Sequence, residues 1–283
     1  MATLATYRAD RPRQRWPRLA RLAWSRLVVD LKQFFRIPEQ VFFTFLLPVL
    51  FLVLFSAVFA GDITDDPGRE LAFVQYFLPG IIALGVAAST FANLAMSVAI
   101  EQHEGLLKRL AGTPLPKSAF FLGRIASSIT ITVIQTAILL AIGVALFGVE
   151  LPATPGRWLM FVYVLGISAA LGSALGIAMT RAVPNAKAAA PIVQAPFLVL
   201  QFISGIFFQW ESLPGWLQSV ATVFPLRWMA QGFRYAFLPD WFGETEYGAS
   251  WGWELPAAVL AGWLVLSFVL AIVFFRWDRG GDR

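Results

Sequence analysis

Six uncharged apolar runs constrain this chain more than any other feature, because each is long enough to cross roughly 30 Å of hydrocarbon as a helix. They cover residues 41–60, 71–100, 125–149, 158–180, 188–210 and 255–275. In the first run, 15 positions are Leu, Val or Phe. At about −0.3 to −0.6 kcal/mol for each such residue near a bilayer centre, that run favours insertion by roughly 5 to 9 kcal/mol. Only 14% of the chain is charged against 58% apolar, which excludes a disordered chain and an ordinary soluble domain. The expected fold class is therefore an all-α polytopic membrane protein with six transmembrane helices. The second run is too long for one perpendicular crossing, and Pro79-Gly80 sets the expected start of that helix near Leu78.

Charge placement predicts orientation. Residues 1–40, 101–124, 181–187 and 276–283 hold eighteen of the 22 lysines and arginines. The alternate segments hold only Arg69, Arg157, Arg227 and Arg234, together with ten of the 17 acids, including Asp62, Asp65, Asp66 and Glu70. The positive-inside rule then puts both termini in the cytoplasm of a multi-pass plasma-membrane protein. No cleavable signal peptide is read, since a long basic stretch precedes the first apolar run. The net charge of +5 follows this topology and gives no reason to expect nucleic acid.

Between residues 16 and 36, Leu19, Leu22, Ala23, Leu27, Leu31 and Phe34 recur at spacings of three and four, punctuated by Arg18, Arg21, Arg26 and Lys32. Two readings stand: an amphipathic interfacial helix, or a basic tail obeying the topology rule. The long segment 211–254 mixes Leu213, Trp216, Leu217, Val220 and Phe224 with Pro214 and Pro225. It reads either as short helices that dip into the membrane and return, or as an interfacial belt of Trp216, Trp228, Trp241, Trp251 and Trp253.

Several chemistries are missing. The absence of cysteine removes disulfides and thiolate sites. Lys117-Ser118 is the nearest approach to a phosphate-binding loop, but Ala111 and Pro116 stand where glycines are needed and proline has no amide to donate. His103-Glu104 opens like a zinc-protease helix, yet Leu107 takes the second histidine's place and His103 is the only histidine. No Gly-x-Ser-x-Gly elbow occurs. The chain is thus expected to bind no cofactor or metal and to catalyse no reaction by itself.

The six runs lack ionisable groups, which argues against an autonomous ion-coupled carrier or channel. They do contain neutral polar residues. Ser89, Asn93 and Ser97 share one helix face at four-residue spacing, and Gln194 and Gln201 are seven apart; Gln75, Thr90 and Gln135 add to the set. These rows serve either as the lining of a pathway, with Phe91, Phe197 and Phe202 as apolar neighbours, or as hydrogen bonds between helices. Ser168, Gly172 and Gly176 form a stripe permitting close helix contact, within one chain or between two.

The segment joining the second and third runs carries Glu101-Gln102-His103-Glu104-Gly105, then Lys108 and Arg109, and ends in Thr113-Pro114-Leu115. It resembles the Glu-Arg-Glu-x-Gly-Thr-Leu-x-x-Leu-x-x-Thr-Pro-Leu segment of ABC-2 type transporter permeases, with Gln102 and Leu106 departing from the arginine and threonine often found there. Asp30-Leu31-Lys32-Gln33-Phe34-Phe35-Arg36-Ile37-Pro38, Phe77-Leu78-Pro79-Gly80, Ser204-Gly205-Ile206-Phe207-Phe208, Ser212-Leu213-Pro214-Gly215-Trp216-Leu217 and Phe224-Pro225-Leu226 extend the resemblance in order along nearly the whole chain.

The resemblance implies a single domain over residues 1–283: a basic tail and connecting helix to residue 40, a six-helix bundle over 41–275 and a short tail from 276. It implies a coupling helix (Glu101, Gln102, His103, Glu104, Gly105, Lys108, Arg109) seated on an ATP-binding subunit present in two copies, which carries ATP and Mg. It also implies a second permease, identical or homologous, and an outer gate at Leu213, Pro214, Trp216, Phe224 and Pro225. Helices two and five would line the route of an exported amphipathic or hydrophobic cargo, drug or lipid-like. A non-transporting anchor or sensor subunit remains the alternative from another class.

Overall fold

The computed structural model describes residues 19–59, 61–63, 69–112, 116–246 and 251–275. Six helices are long and apolar enough to cross a membrane: Pro38–Val58, Phe73–His103, Ser118–Phe147, Pro155–Ala182, Ala186–Ile203 and Glu254–Phe274, called spans one to six. An amphipathic helix, Leu19–Phe35, precedes them. Two further helices, Gly215–Ala221 and Pro225–Phe237, stand between spans five and six. The one β feature among the described residues is an isolated bridge between Asp62 and Ala72.

Spans two and four are mostly buried and form the centre, while spans one, three, five and six present Leu, Val, Ile and Phe outward. Exposed side chains such as Val58, Leu159, Ile272 and Val273 suit an apolar neighbour, lipid or another membrane helix, rather than water. The small-residue stripe of span four packs within the chain. A Cβ on Gly172 would stand 2.2 Å from Thr90 Oγ1, and one on Gly176 would stand 2.8 Å from the Phe91 carbonyl. The facing stretch of span two, Ala88–Ala92, is a π-helical turn. Such bulges favour functional positions and widen the helix where a neighbour must fit.

Two expected helix limits are corrected. Span two begins at Phe73, five residues before Leu78, and holds Pro79 inside it. Its first turn is anchored by the Gln75 carboxamide, which donates to the carbonyls of Glu150 and Phe237 (both 3.0 Å) and accepts from the Glu150 amide at 2.8 Å. Span five ends at Ile203, well short of residue 210. Gly205 takes a left-handed φ of 69°, a conformation that glycine reaches without steric cost, and the chain turns back there.

Helix Pro225–Phe237 packs against spans two, four and six and is buried along nearly its whole length. Of the five tryptophans read as a possible belt, Trp228 and Trp251 are buried in protein, with indole N–H groups donating to the carbonyls of Thr222 (2.7 Å) and Pro239 (3.0 Å). A belt of all five lying flat on headgroups is therefore excluded. Contacts also sort the connecting segments. Helix Leu19–Phe35 packs on the start of span three and His103 Nε2 meets the Val183 carbonyl at 3.1 Å, which defines a basic end. Arg69 pairs with Glu244 and Arg157 with Asp240 at the opposite, acidic end.

Candidate functional site

A groove of about 340 Å³ opens between spans one, two and five, with one residue from span three. Its walls are apolar where Phe43, Leu47, Pro48, Phe51 and Phe197 contribute, and polar but uncharged where Thr44, Ser89, Asn93, Gln135, Gln194 and Gln201 contribute. Five of the eight residues expected to line a pathway are thus gathered in one place: Ser89, Asn93, Gln194, Phe197 and Gln201. Phe91 sits beside them, its ring 6.0 Å from that of Phe197. Phe202 lies toward the acidic end, half exposed, with its ring 5.3 Å from Phe207. Ser97 lines a smaller cavity of about 80 Å³ that shares Asn93 with the groove.

An aromatic cluster that the sequence did not single out adjoins the groove and shares Phe51 with its lining. Phe51 and Phe55 of span one, Phe77 of span two and Phe207 lie with ring centroids 5.1 to 6.3 Å apart, in stacked, tilted and edge-on arrangements. Such pairs favour close contact beyond area burial. Two larger cavities share no residue with the groove. One of about 610 Å³ lies at the acidic end among Glu70, Glu150, Arg157 and Asp240, and one of about 530 Å³ is apolar, among Phe121, Ile125, Ile177, Phe268 and Phe275.

The polar row of span two continues past Ser97 to Glu101, again four residues on. Ser89 Oγ hydrogen-bonds Thr132 of span three at 2.7 Å, and the small cavity then leads past Ser127 and Ser128 to a charged cluster. There Arg124 pairs with Glu101 and stands 3.6 Å from Asp30, while Arg26 stands 3.0 Å from Asp30 and 3.7 Å from Glu101. The Phe120 ring lies under both guanidiniums at 5.0 and 5.8 Å. Asp30, Glu101 and Arg124 are buried. Burial pushes the Asp30 carboxyl above the usual aspartate range, against the pull of Arg124 and Arg26.

This cluster joins three pieces of chain: the amphipathic helix, the end of span two and the start of span three. A Cβ on Gly123 would lie 2.6 Å from Arg26 Cβ and 3.0 Å from the Ala23 carbonyl, so a glycine is what lets the amphipathic helix seat on span three. The seated face carries Leu27, Asp30 and Phe34. Asp30 and Arg26 are thus interior residues. Their spacing of four was visible, but a charged pair on an amphipathic helix ordinarily marks its wet face.

The segment expected to couple to a partner does not form one helix. Glu101, Gln102 and His103 end span two, Gly105 takes a left-handed φ of 76°, and a separate helix, Leu106–Ala111, follows. Glu101 and Gln102 are buried, whereas Glu104, Lys108 and Arg109 are exposed. Leu107 is fully buried beneath that exposed face. Thr113, Pro114 and Leu115 lie outside the described residues. Of the residues expected at an outer gate, Leu213 is buried with Ile203, Trp210 and Ala221, Phe224 packs on that group and Pro225 opens the buried helix; Pro214 and Trp216 are exposed.

The acidic end holds a second buried ionic group. Arg227 and Arg234 are fully buried and share the Glu246 carboxylate; Arg234 also donates to the Gly205 carbonyl. Trp210 and Tyr76 place their rings 3.9 and 4.1 Å from the two guanidiniums. Burial works to raise the Glu246 carboxyl, but Arg227 and Arg234 together outweigh it and hold it below the usual glutamate range. In the sequence Arg227 and Arg234 stand out only as two of the four basic residues on the acidic side, and Glu246 is one acid among its ten.

Four outward-facing spans around two buried ones, with an uncharged groove between them, define a polytopic membrane subunit of the transport kind. Residues 23–238 match the ABC-2 type transporter family, and the chain belongs to it. It is 24% identical over 258 residues to the inner membrane transport permease YadH of Escherichia coli, covering 88% of this chain and 90% of that one. It is 25% identical over 245 residues to the daunorubicin resistance ABC transporter permease protein DrrB1 of Streptomyces coeruleorubidus, covering 84% and 80%. The chain is accordingly a membrane permease subunit of an ABC transporter, and membership implies an ATP-binding partner subunit.

Proposed function

We propose that this permease exports an amphipathic or hydrophobic cargo, and that cargo passes through the groove between spans one, two and five, from the cytoplasmic side to the outside. The observation that carries the reading is the continuous polar row Ser89, Asn93, Ser97 and Glu101, which joins the groove to the charged cluster beside the coupling segment. Two ATP-binding subunits, carrying ATP and Mg, press on Glu104, Lys108 and Arg109. Because Glu101 and Arg124 pair across spans two and three, and Arg26 and Asp30 tie in the amphipathic helix, that push moves the three together. The basic end and both termini face the cytoplasm.

At the other end, Leu213, Trp216, Phe224 and helix Pro225–Phe237 act with the phenylalanine cluster as the outer gate, the helix re-entering the membrane from outside. A second permease, identical or homologous, completes the pathway. The uncharged lining suits an amphiphile better than a polyanion, and the drug-resistance name of one relative supports a drug-like cargo.

The test is efflux from vesicles containing the permease and its ATP-binding partner. Glu104→Lys combined with Lys108→Glu should abolish ATP-driven efflux and cargo-stimulated ATP hydrolysis while the permease stays folded. Efflux at the unaltered rate in that variant, or uphill accumulation by the permease alone, overturns the proposal.

A further inference from the structure

Span three carries a carboxamide, Gln135, whose two ends meet different fates. Pro48 of span one has no amide hydrogen, so the carbonyl four residues before it, that of Thr44, loses its helical partner. Gln135 Nε2 donates to that carbonyl at 2.9 Å. It reaches span one past a notch in span two: a Cβ on Gly85 would stand 2.8 Å from Nε2. A carbonyl only accepts, so this bond fixes which way the amide faces: Nε2 is committed to Thr44 and Oε1 to the remaining direction.

Gln135 is 2% exposed, and its Oε1 has no hydrogen-bond partner among the described residues. A buried amide oxygen without a donor is costly unless something visits it. Gln135 lines the groove next to Gly85, Ala88 and Ser89. The Ser89 hydroxyl beside it is already engaged, since Ser89 Oγ hydrogen-bonds the Gly85 carbonyl and Thr132. No charged side chain lines the groove, so no carboxylate there competes for an incoming donor, and the neutral acceptors are Gln135 itself and the side chains of Thr44, Asn93, Gln194 and Gln201.

We propose that Gln135 Oε1 determines specificity by accepting a hydrogen bond from an O–H or N–H of the cargo, so that the permease selects amphiphiles with a donor-bearing polar group over isosteric ones without it. This rests on the export reading above and names the cargo chemistry of the same groove. The proline in span one and the groove's selectivity then have one cause: Pro48 frees a carbonyl, the carbonyl holds Nε2, and the held amide keeps its oxygen unpartnered in the groove wall, to be reached as the wall yields to cargo.

The probes are two fluorescent alkyl amphiphiles that differ only in a primary hydroxyl or its methyl ether, assayed for ATP-driven efflux by the permease with its ATP-binding partner. The wild type should move the hydroxyl compound roughly tenfold better than the ether, the range of one buried hydrogen bond. Pro48→Ala restores an amide to the Thr44 carbonyl, so Pro48→Ala/Gln135→Leu leaves no orphaned backbone group and should bring the ratio to within twofold. Pro48→Ala/Gln135→Glu, which keeps acceptor oxygens, should retain the preference. Efflux of both probes by the wild type at similar rates overturns this inference alone, as does a preference that survives Gln135→Leu. Efflux of neither overturns the export reading and this inference with it. Should the leucine variant fail to assemble, the wild-type ratio decides.

Discussion

Replacing Glu246 with Gln removes one negative charge from a place where two fully buried guanidiniums depend on it. Arg227 and Arg234 both contact that carboxylate, and the Trp210 and Tyr76 rings cover the two guanidiniums. Breaking a buried ionic group by deleting one member costs about 3 to 5 kcal/mol, because the remaining charges stay desolvated. For a chain of this size roughly 2 to 4 °C of melting temperature follows each kcal/mol, so Glu246→Gln should melt on the order of 10 °C below the wild type. Glu244→Gln is the internal control. Its partner Arg69 lies 2.9 Å away, but the side chains are 44% and 62% exposed, and such surface pairs contribute less than about 1 kcal/mol. Adding Arg227→Met to Glu246→Gln should recover part of the loss, since one fewer cation is then stranded. Thermal unfolding of the purified protein in lipid nanodiscs measures all three. A Glu246→Gln variant that melts within 2 °C of the wild type would refute the reasoning.

The two buried carboxylates outside the spans predict opposite pH behaviour. Glu246 is held below its usual value, so its contribution is fully present above the unfolded pKa, is lost only as pH falls through the depressed folded one, and should stay constant between pH 7 and 5. Asp30 is held above its usual value, so its contribution is gained as pH falls from neutrality through the raised folded pKa, and Asp30→Asn should lose that gain in melting temperature between pH 7 and 5. Gly172→Val should cost about 1 to 3 kcal/mol by pressing on Thr90, whereas Gly166→Ala, with open space at its Cβ, should melt like the wild type. Gly123→Leu should lift the amphipathic helix from span three and reduce cargo-stimulated ATP hydrolysis by the complex more than basal hydrolysis, a difference read from paired ATPase assays.

Much of the candidate site was legible as residue types and hardly at all as partnerships. The four-residue spacing of Ser89, Asn93 and Ser97 pointed to one face; Ser89 and Asn93 border the groove, and Ser97 lines the smaller cavity next to it. Its continuation to Glu101 was missed, because an acid just beyond an apolar run reads as the start of a loop. Gln135 stood out as a polar residue in span three, but its meaning lies in Pro48 and Gly85 on two other helices. The phenylalanine cluster gave no signal, since phenylalanines facing lipid and phenylalanines facing one another look alike in sequence.

What the residues alone determined is the number of crossings, the segregation of basic and acidic segments, and the lack of nucleotide chemistry. Insertion free energy is summed locally along twenty or so residues, and charge bias is counted segment by segment, so neither needs a partner. Only the tertiary structure decided which charges are buried and what holds them. Arg124 meets Glu101 and Asp30, and Gln75 meets the carbonyl of Phe237, 162 residues away. The worth of a charge or an amide depends on the dielectric around it and on the donor or acceptor opposite, and both are set by helices brought together from distant parts of the chain.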